Sequence, residues 1–172
     1  MAQREALREL QARLAERLQQ VHGDVRTARW LAVDCGRHGF LFPLSGAGEI
    51  FTAGSLTPLS HTKPWFLGVA NLRGALHGVF DLTVFLGLEP RSMAREHAQI
   101  VAFNASLGSH SAVLVHRLAG LRHPEQMTPD PDDAGPRPPF AGPRYIDAQG
   151  RSWQEIDLAE LARHEEFLAI AR

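Results

Sequence analysis

A single cysteine, Cys35, rules out any disulfide within the chain and fits a reducing compartment. It sits in an apolar segment and reads as a small, half-buried strand residue. No apolar run reaches the roughly 20 residues that a membrane-spanning helix needs. The opening segment is charged and helical in pattern, without the apolar core of a signal peptide. Lys63 is the only lysine, and arginine supplies the other cations, which reads as codon bias rather than chemistry. The formal net charge is -1, so no excess field favours nucleic acid or an anionic membrane surface.

Catalytic signatures are also missing. The nine histidines show no pair at metal-ligand spacing on one element and no accompanying Glu motif. We therefore expect no metal and no cofactor. Asp130, Asp132 and Asp133 fall in a proline-rich stretch, where carboxylates stay solvated rather than acting as a general acid and base. Ser45-Gly46-Ala47-Gly48 is neither a nucleophile elbow nor a phosphate loop. Asn104-Ala105-Ser106 matches a glycosylation sequon, which has no use without secretion.

What is present is a chain of 172 residues, 44% apolar, made of short strand-like runs between turns. Its central stretch spans residues 64–88. Phe66 to Leu72 reads as a strand and Ala75 to Leu82 as its partner, with Asn71-Leu72-Arg73-Gly74 at the turn. Leu76, Gly78, Phe80 and Leu82 share one face; Ala75, His77, Val79 and Asp81 share the other. Gly74 can adopt the positive φ that a tight turn requires. Asp81 is placed to cap a helical turn, which Gly87 ends. The turn leaves Arg73 exposed, as either a bystander or an interface anchor.

Other elements follow from the same rules. Residues 4–22 read as an amphipathic helix with a stripe of Leu7, Leu10, Leu14, Leu18 and Val21. We expect the stripe to dock on the body; the alternative is pairing with another helix as a short coiled coil. Trp30 to Cys35 and Phe40 to Leu44 read as a hairpin, Gln99 to Asn104 and Ser111 to Leu118 as two more strands. Residues 122–144 carry repeated prolines and read as a loop or extended arm, with Phe140 and Tyr145 as pins. We expect residues 124–143 to be dispensable for folding. A last hairpin flanks Asp147-Ala148-Gln149-Gly150, and Asp157 with Glu160 forms a capping box for a final helix with a stripe of Leu158, Leu161 and Leu168. The aromatics Trp65, Phe66, Phe80, Phe85 and Trp153 suit a core, though a ligand cage is possible.

Gly68-Val69-Ala70-Asn71-Leu72-Arg73-Gly74, then Val79-Phe80-Asp81-Leu82 and Phe85-Leu86-Gly87, resemble in order and spacing the signature of the CheW-type chemotaxis adaptors. Glu49-Ile50 matches the end of a second motif of that family, V-x-E-I. Leu41 stands where the family has glycine, and His116 where an Asp is usual. The N-terminal helix, Trp153, Ile156-Asp157-Leu158 and the proline-rich arm resemble the branch of the family that serves type IV pilus (twitching) signalling.

The resemblance implies a mainly β fold: two SH3-like five-stranded barrels with a helix at each end. It divides the chain into an N-terminal helix, 1–29, and a CheW-like body, 30–172, with the proline-rich loop at about 122–144. It implies a non-catalytic adaptor, cytoplasmic and recruited to membrane-bound receptor arrays. The implied partners are the regulatory domain of a CheA-type histidine kinase and the cytoplasmic tip of a methyl-accepting chemoreceptor. The implied partner-binding residues are Arg73, Glu49, Ile50, Asn71, Leu72 and Gly74. The alternative is a β-barrel that binds a small ligand in a closed apolar pocket; an enzyme ranks third.

Overall fold

The computed structural model describes residues 9, 11–17, 28–91 and 96–172. Among the described residues, eleven strands form two curled sheets. Sheet A holds β1 (Trp30–Cys35), β2 (His38–Pro43), β8 (Arg117–Arg122), β9 (Met127–Pro129), β10 (Ala141–Asp147) and β11 (Ser152–Ile156), in the order β8-β1-β2-β11-β10-β9. Sheet B holds β3 (Ala47–Thr52), β4 (Phe66–Leu72), β5 (Ala75–Phe80), β6 (Gln99–Phe103) and β7 (Ser111–Val115), in the order β3-β6-β7-β5-β4. Each sheet contains one parallel pair, β2 with β11 and β5 with β7. The mainly β class and the two-barrel plan match the expectation, but sheet A has six strands instead of five. The extra one, β9, comes from the proline-rich stretch.

The strands are apolar on both faces because three cores must be filled. Along β1, Leu31, Val33 and Cys35 point between the sheets, while Trp30 and Ala32 point into the curl of sheet A. Along β6, Val101 and Phe103 point between the sheets, while Ile100 and Ala102 point into the curl of sheet B. Along β1 and β6 the period-2 alternation thus sends each of these residues to one core or the other. Cys35 is buried completely rather than half-buried. Burial pushes its thiol well above its ordinary range, reinforced by the negative charges of Asp81 and Asp34. It is a core residue, donating weakly to the Leu114 carbonyl at 3.6 Å.

Ser111 to Leu118 is not one strand. The chain leaves sheet B after Val115 and enters sheet A at Arg117, with His116 at the crossing. The His116 amide donates to the Asp34 carbonyl at 2.8 Å, and its Nδ1 accepts from the Gly36 amide at 2.9 Å. The residue that replaces the usual acid is therefore used inside the fold. Nearby, the buried Asp34 carboxylate accepts from Arg117 at 2.7 Å and Arg151 at 2.5 Å, joining β1, β8 and the β10–β11 turn.

The proline-rich stretch is built into sheet A rather than extended from it. Met127 lies in the sheet A core, Phe140 in the central core, and β9 pairs with β10. Two of its carboxylates, those of Asp130 and Asp133, are not left to solvent, while Asp132 is exposed. Asp130 accepts from the Asp132 amide and from Arg144, and Asp133 from the Arg144 amide and from Arg137. These bonds hold both carboxyls below the ordinary aspartate value. A depressed pKa stabilises the fold fully above the unfolded value of about 3.9 and loses that contribution as pH falls through the folded value. Acid should therefore loosen the β9–β10 pairing. Carboxyl carbon titration by NMR checks this; midpoints at or above the ordinary aspartate value would dismiss the pairs.

The C-terminal region also differs from expectation. Two short helices, α3 (Leu158–Leu161) and α4 (Glu165–Leu168), replace one continuous helix. Asp157 caps α3 through the amides of Ala159 and Glu160 at 2.9 and 3.1 Å. The capping box does not close: the Asp157 amide donates to the Phe140 carbonyl, and Glu160 pairs with Arg163. The break between the helices turns Phe167 inward and leaves Leu168 outside. At the other end, residues 11–17 are helical (α1) and exposed, with Leu14 at 52%. The expected docking of the leucine stripe is not made at Leu14; Leu7, Leu10, Leu18 and Val21 lie outside the described residues.

Candidate functional site

The tip of the β4–β5 hairpin carries Asn71, Arg73 and Gly74, three of the residues singled out by the motif. Leu72 pairs with Ala75, which leaves a two-residue turn of Arg73 and Gly74. Both have positive φ, 50° and 83°, the signature of a type I′ turn, whose backbone matches the twist of the strands. Asn71 Oδ1 accepts from the Gly74 amide at 2.8 Å and fixes the turn. Gly74 suits its position. Arg73 does not: the left-handed region costs an L-residue roughly 1–2 kcal/mol.

The hairpin's base is anchored from below. The buried Asp81 carboxylate accepts from the Thr83 amide at 3.0 Å, the Thr83 hydroxyl at 2.7 Å and the Val84 amide at 3.2 Å, capping α2 (Leu82–Phe85). Its own amide donates to the Trp65 carbonyl at 2.8 Å. Asp81 is thus a structural residue of the motif.

Glu49 approaches from the far edge of the same sheet. A bulge between Ala47 and Ile50 turns β3, and Gly48 lies so close to β6 that a Cβ there would meet the Phe103 carbonyl oxygen at 2.7 Å. Glu49 Oε1 stands 2.6 Å from Arg73 Nη2, with the arginine side chain 76% exposed. Since β3 and β4 are the two ends of sheet B, this ion pair spans the seam of the barrel.

The structure therefore brings Arg73, Glu49, Asn71 and Gly74 together at one surface, and Ile50 is exposed beside Glu49. Leu72 is a correction. It is 7% exposed and packs in the sheet B core, because its position in the alternation faces inward. Leu76 was missed. It was assigned to the same face as the buried Phe80, yet it is 65% exposed. The reason is register: β7 pairs with β5 only from Gly78 to Phe80, so the outer half of the hairpin projects beyond the sheet. An apolar residue directly opposite Asn71 in an uncovered hairpin was the available signal.

Of the aromatics that suited a ligand cage, Trp65, Phe66 and Phe80 line a cavity of about 300 Å³, while buried side chains occupy the interior of each barrel. Trp30, Leu41, Met127 and Trp153 occupy one interior; Leu67, Ile100 and Leu114 occupy the other. Of the histidines, His77 and His110 come together, ring centroids 5.3 Å apart. Among the described residues, no group of three or more His, Cys, Asp or Glu could hold a metal ion.

A family model described as the CheW-like domain matches residues 29–166. The chain belongs to the CheW-like domain family. Among curated proteins it is 31% identical to Protein PilI of Pseudomonas aeruginosa over 88 residues, 51% of this chain and 48% of that one. It is 33% identical to the Probable chemotaxis protein CheW of Rhizobium etli over 72 residues, 42% of this chain and 46% of that one. The chain spans about half the length of the curated relatives it matches. In structure it resembles the scaffolding protein TtCheW from Thermoanaerobacter tengcongensis, with a TM-score of 0.61 and 16% identity, over 76% of this chain and 88% of that one. That likeness is one of fold, and it agrees with the two-barrel arrangement of this CheW-like domain.

Proposed function

We propose that the protein is a non-catalytic adaptor that couples a methyl-accepting chemoreceptor to a CheA-type histidine kinase in type IV pilus (twitching) chemosensory signalling. Family membership and the likeness to PilI support this reading. So does the scaffold fold. In this reading residues 1–29 form an amphipathic helix outside the CheW-like body, and the protein works in the cytoplasm at receptor arrays. Among the described residues, no helix is long and apolar enough to cross a membrane.

The observation that carries the proposal is Arg73. It holds a left-handed backbone at a turn position where Asn or Gly fits better, and its side chain is mostly in water. An exposed ion pair with Glu49 returns only about 0–1 kcal/mol. The fold gains nothing that explains an arginine here; a partner surface does, since Arg is enriched at interface hot spots. Ile50, Asn71, Gly74 and Leu76 complete the surface around the pair.

Arg73→Asn separates the two roles. Asparagine tolerates the turn, so the melting temperature should hold or rise slightly. Binding to the kinase regulatory domain or to a receptor-tip fragment should weaken at least tenfold, about 1.4 kcal/mol. Calorimetric titration of the variant and of Glu49→Ala measures this. Undiminished affinity in both titrations would return Arg73 to a bystander on an exposed turn.

A further inference from the structure

A second concave surface lies over the joint between β2 and β11, with a volume of about 630 Å³. Its floor is apolar: Phe40, Ile156 and Pro138, with Leu86 and Leu88 from the loop that follows α2. Its rim carries Arg37, Arg137, Arg144 and Arg151, and among the described residues that line it none is acidic.

Three of these arginines are held from behind. Arg137 uses Nη1 on Asp133, Arg144 uses Nε on Asp130, and Arg151 uses Nη2 on Asp34, each at 2.5 Å. Each guanidinium has five N–H donors in a rigid fork, so donors remain on all three. Arg37 is held weakly, 3.6 Å from Glu89, with its side chain 91% exposed. Fixed forks lose little side-chain freedom when a ligand arrives, which favours binding. The proline-rich stretch supplies Arg137 and Pro138, and its ion pairs make it one wall of the groove.

We propose that this groove docks an acidic amphipathic helix of a protein partner. Its apolar side chains would sit on the leucine and proline floor, and its carboxylates would take the free donors of the arginine rim. A strand cannot add here. β2 lies between β1 and β11, and β11 between β2 and β10, so neither presents an open edge. The groove shares no residue with the Arg73 surface, which lies on sheet B. It gives the adaptor a second contact surface, beyond the proposed function.

The test uses the full chain and a designed helical peptide with leucine on one face and glutamate on the other. A counterpart with lysine at each glutamate position serves as control. Fluorescence anisotropy should show saturable binding of the acidic peptide only, weakened by salt. In wild type, amide shifts on binding should map to the residues around Arg37, Leu88, Arg137 and Arg144. Arg37→Glu combined with Leu88→Ala should weaken binding at least about tenfold, and Arg73→Asn should leave it unchanged. Absence of binding by the acidic peptide, equal binding of the lysine peptide, or shifts that map to the hairpin tip would each overturn the proposal. So would a dimer that the double variant dissociates, since the occupant would then be a second copy of this chain.

Discussion

Replacing residues 124–143 with a short Gly/Ser linker should lower the unfolding free energy by more than about 3 kcal/mol. The replacement deletes two buried side chains from two different cores. Met127 belongs to the sheet A interior with Trp30, Leu41 and Trp153. Phe140 belongs to the core between the sheets, 5.8 Å from Phe85 and 4.8 Å from His164 between ring centroids. Truncating one buried Met costs about 2–5 kcal/mol and one buried Phe about 3–5 kcal/mol. The two need not add, since β9 and Phe140 are held by the same strand, β10. The linker also removes both carboxylates that anchor Arg144, Asp130 on its side chain and Asp133 on its amide. Chemical denaturation of the two forms gives the difference. A loss below about 1 kcal/mol would mean that the stretch decorates a fold already complete without it.

That expectation reverses the reading from composition, and the reason is physical. Prolines at positions 124, 129, 131, 136, 138, 139 and 143 do exclude a helix or a central strand. They do not exclude a three-residue edge strand, and β9 is one, with Pro129 at its end. Local features were read correctly because local chemistry decides them. The β4–β5 hairpin follows from alternation and Gly74; the α2 cap follows from Asp81. What depends on distant partners was not legible. Asp34 draws in Arg117 and Arg151 from far along the chain. His116 ends one strand because two sheets meet there, which no local pattern announces. Leu76 alternates correctly yet remains outside, since cover depends on how far β7 extends. The arginine groove gathers side chains from both hairpin turns of sheet A, β10 and the proline-rich stretch. At the hairpin tip the motif placed Arg73 and Glu49 on one surface, but the left-handed backbone of Arg73 is visible only in the structure.

Phe167→Ala should cost about 3–5 kcal/mol, while Leu168→Ala, one residue on, should stay within about 0.5 kcal/mol. The helical stripe had favoured Leu168, but the break after α3 resets the phase of the last turn. Phe167 is 5% exposed and Leu168 62%. The Phe167 ring stacks on Trp65 and Phe103, at 5.8 and 6.0 Å between centroids, and meets Phe80 and Phe85 edge-on, at 4.6 and 5.7 Å. Such pairs add about 0.5–1.5 kcal/mol each beyond the area they bury. Phe80 and Phe103 come from sheet B, while the same cluster reaches Phe40 and Phe42 of sheet A. The phenyl group therefore closes the core between the sheets as well as pinning α4. Its loss should lower the midpoint of one cooperative transition followed by tryptophan fluorescence and by far-ultraviolet dichroism together. Were the last residues to detach first, with the rest melting at the wild-type temperature, α4 would be an appendage and Phe167 only its anchor.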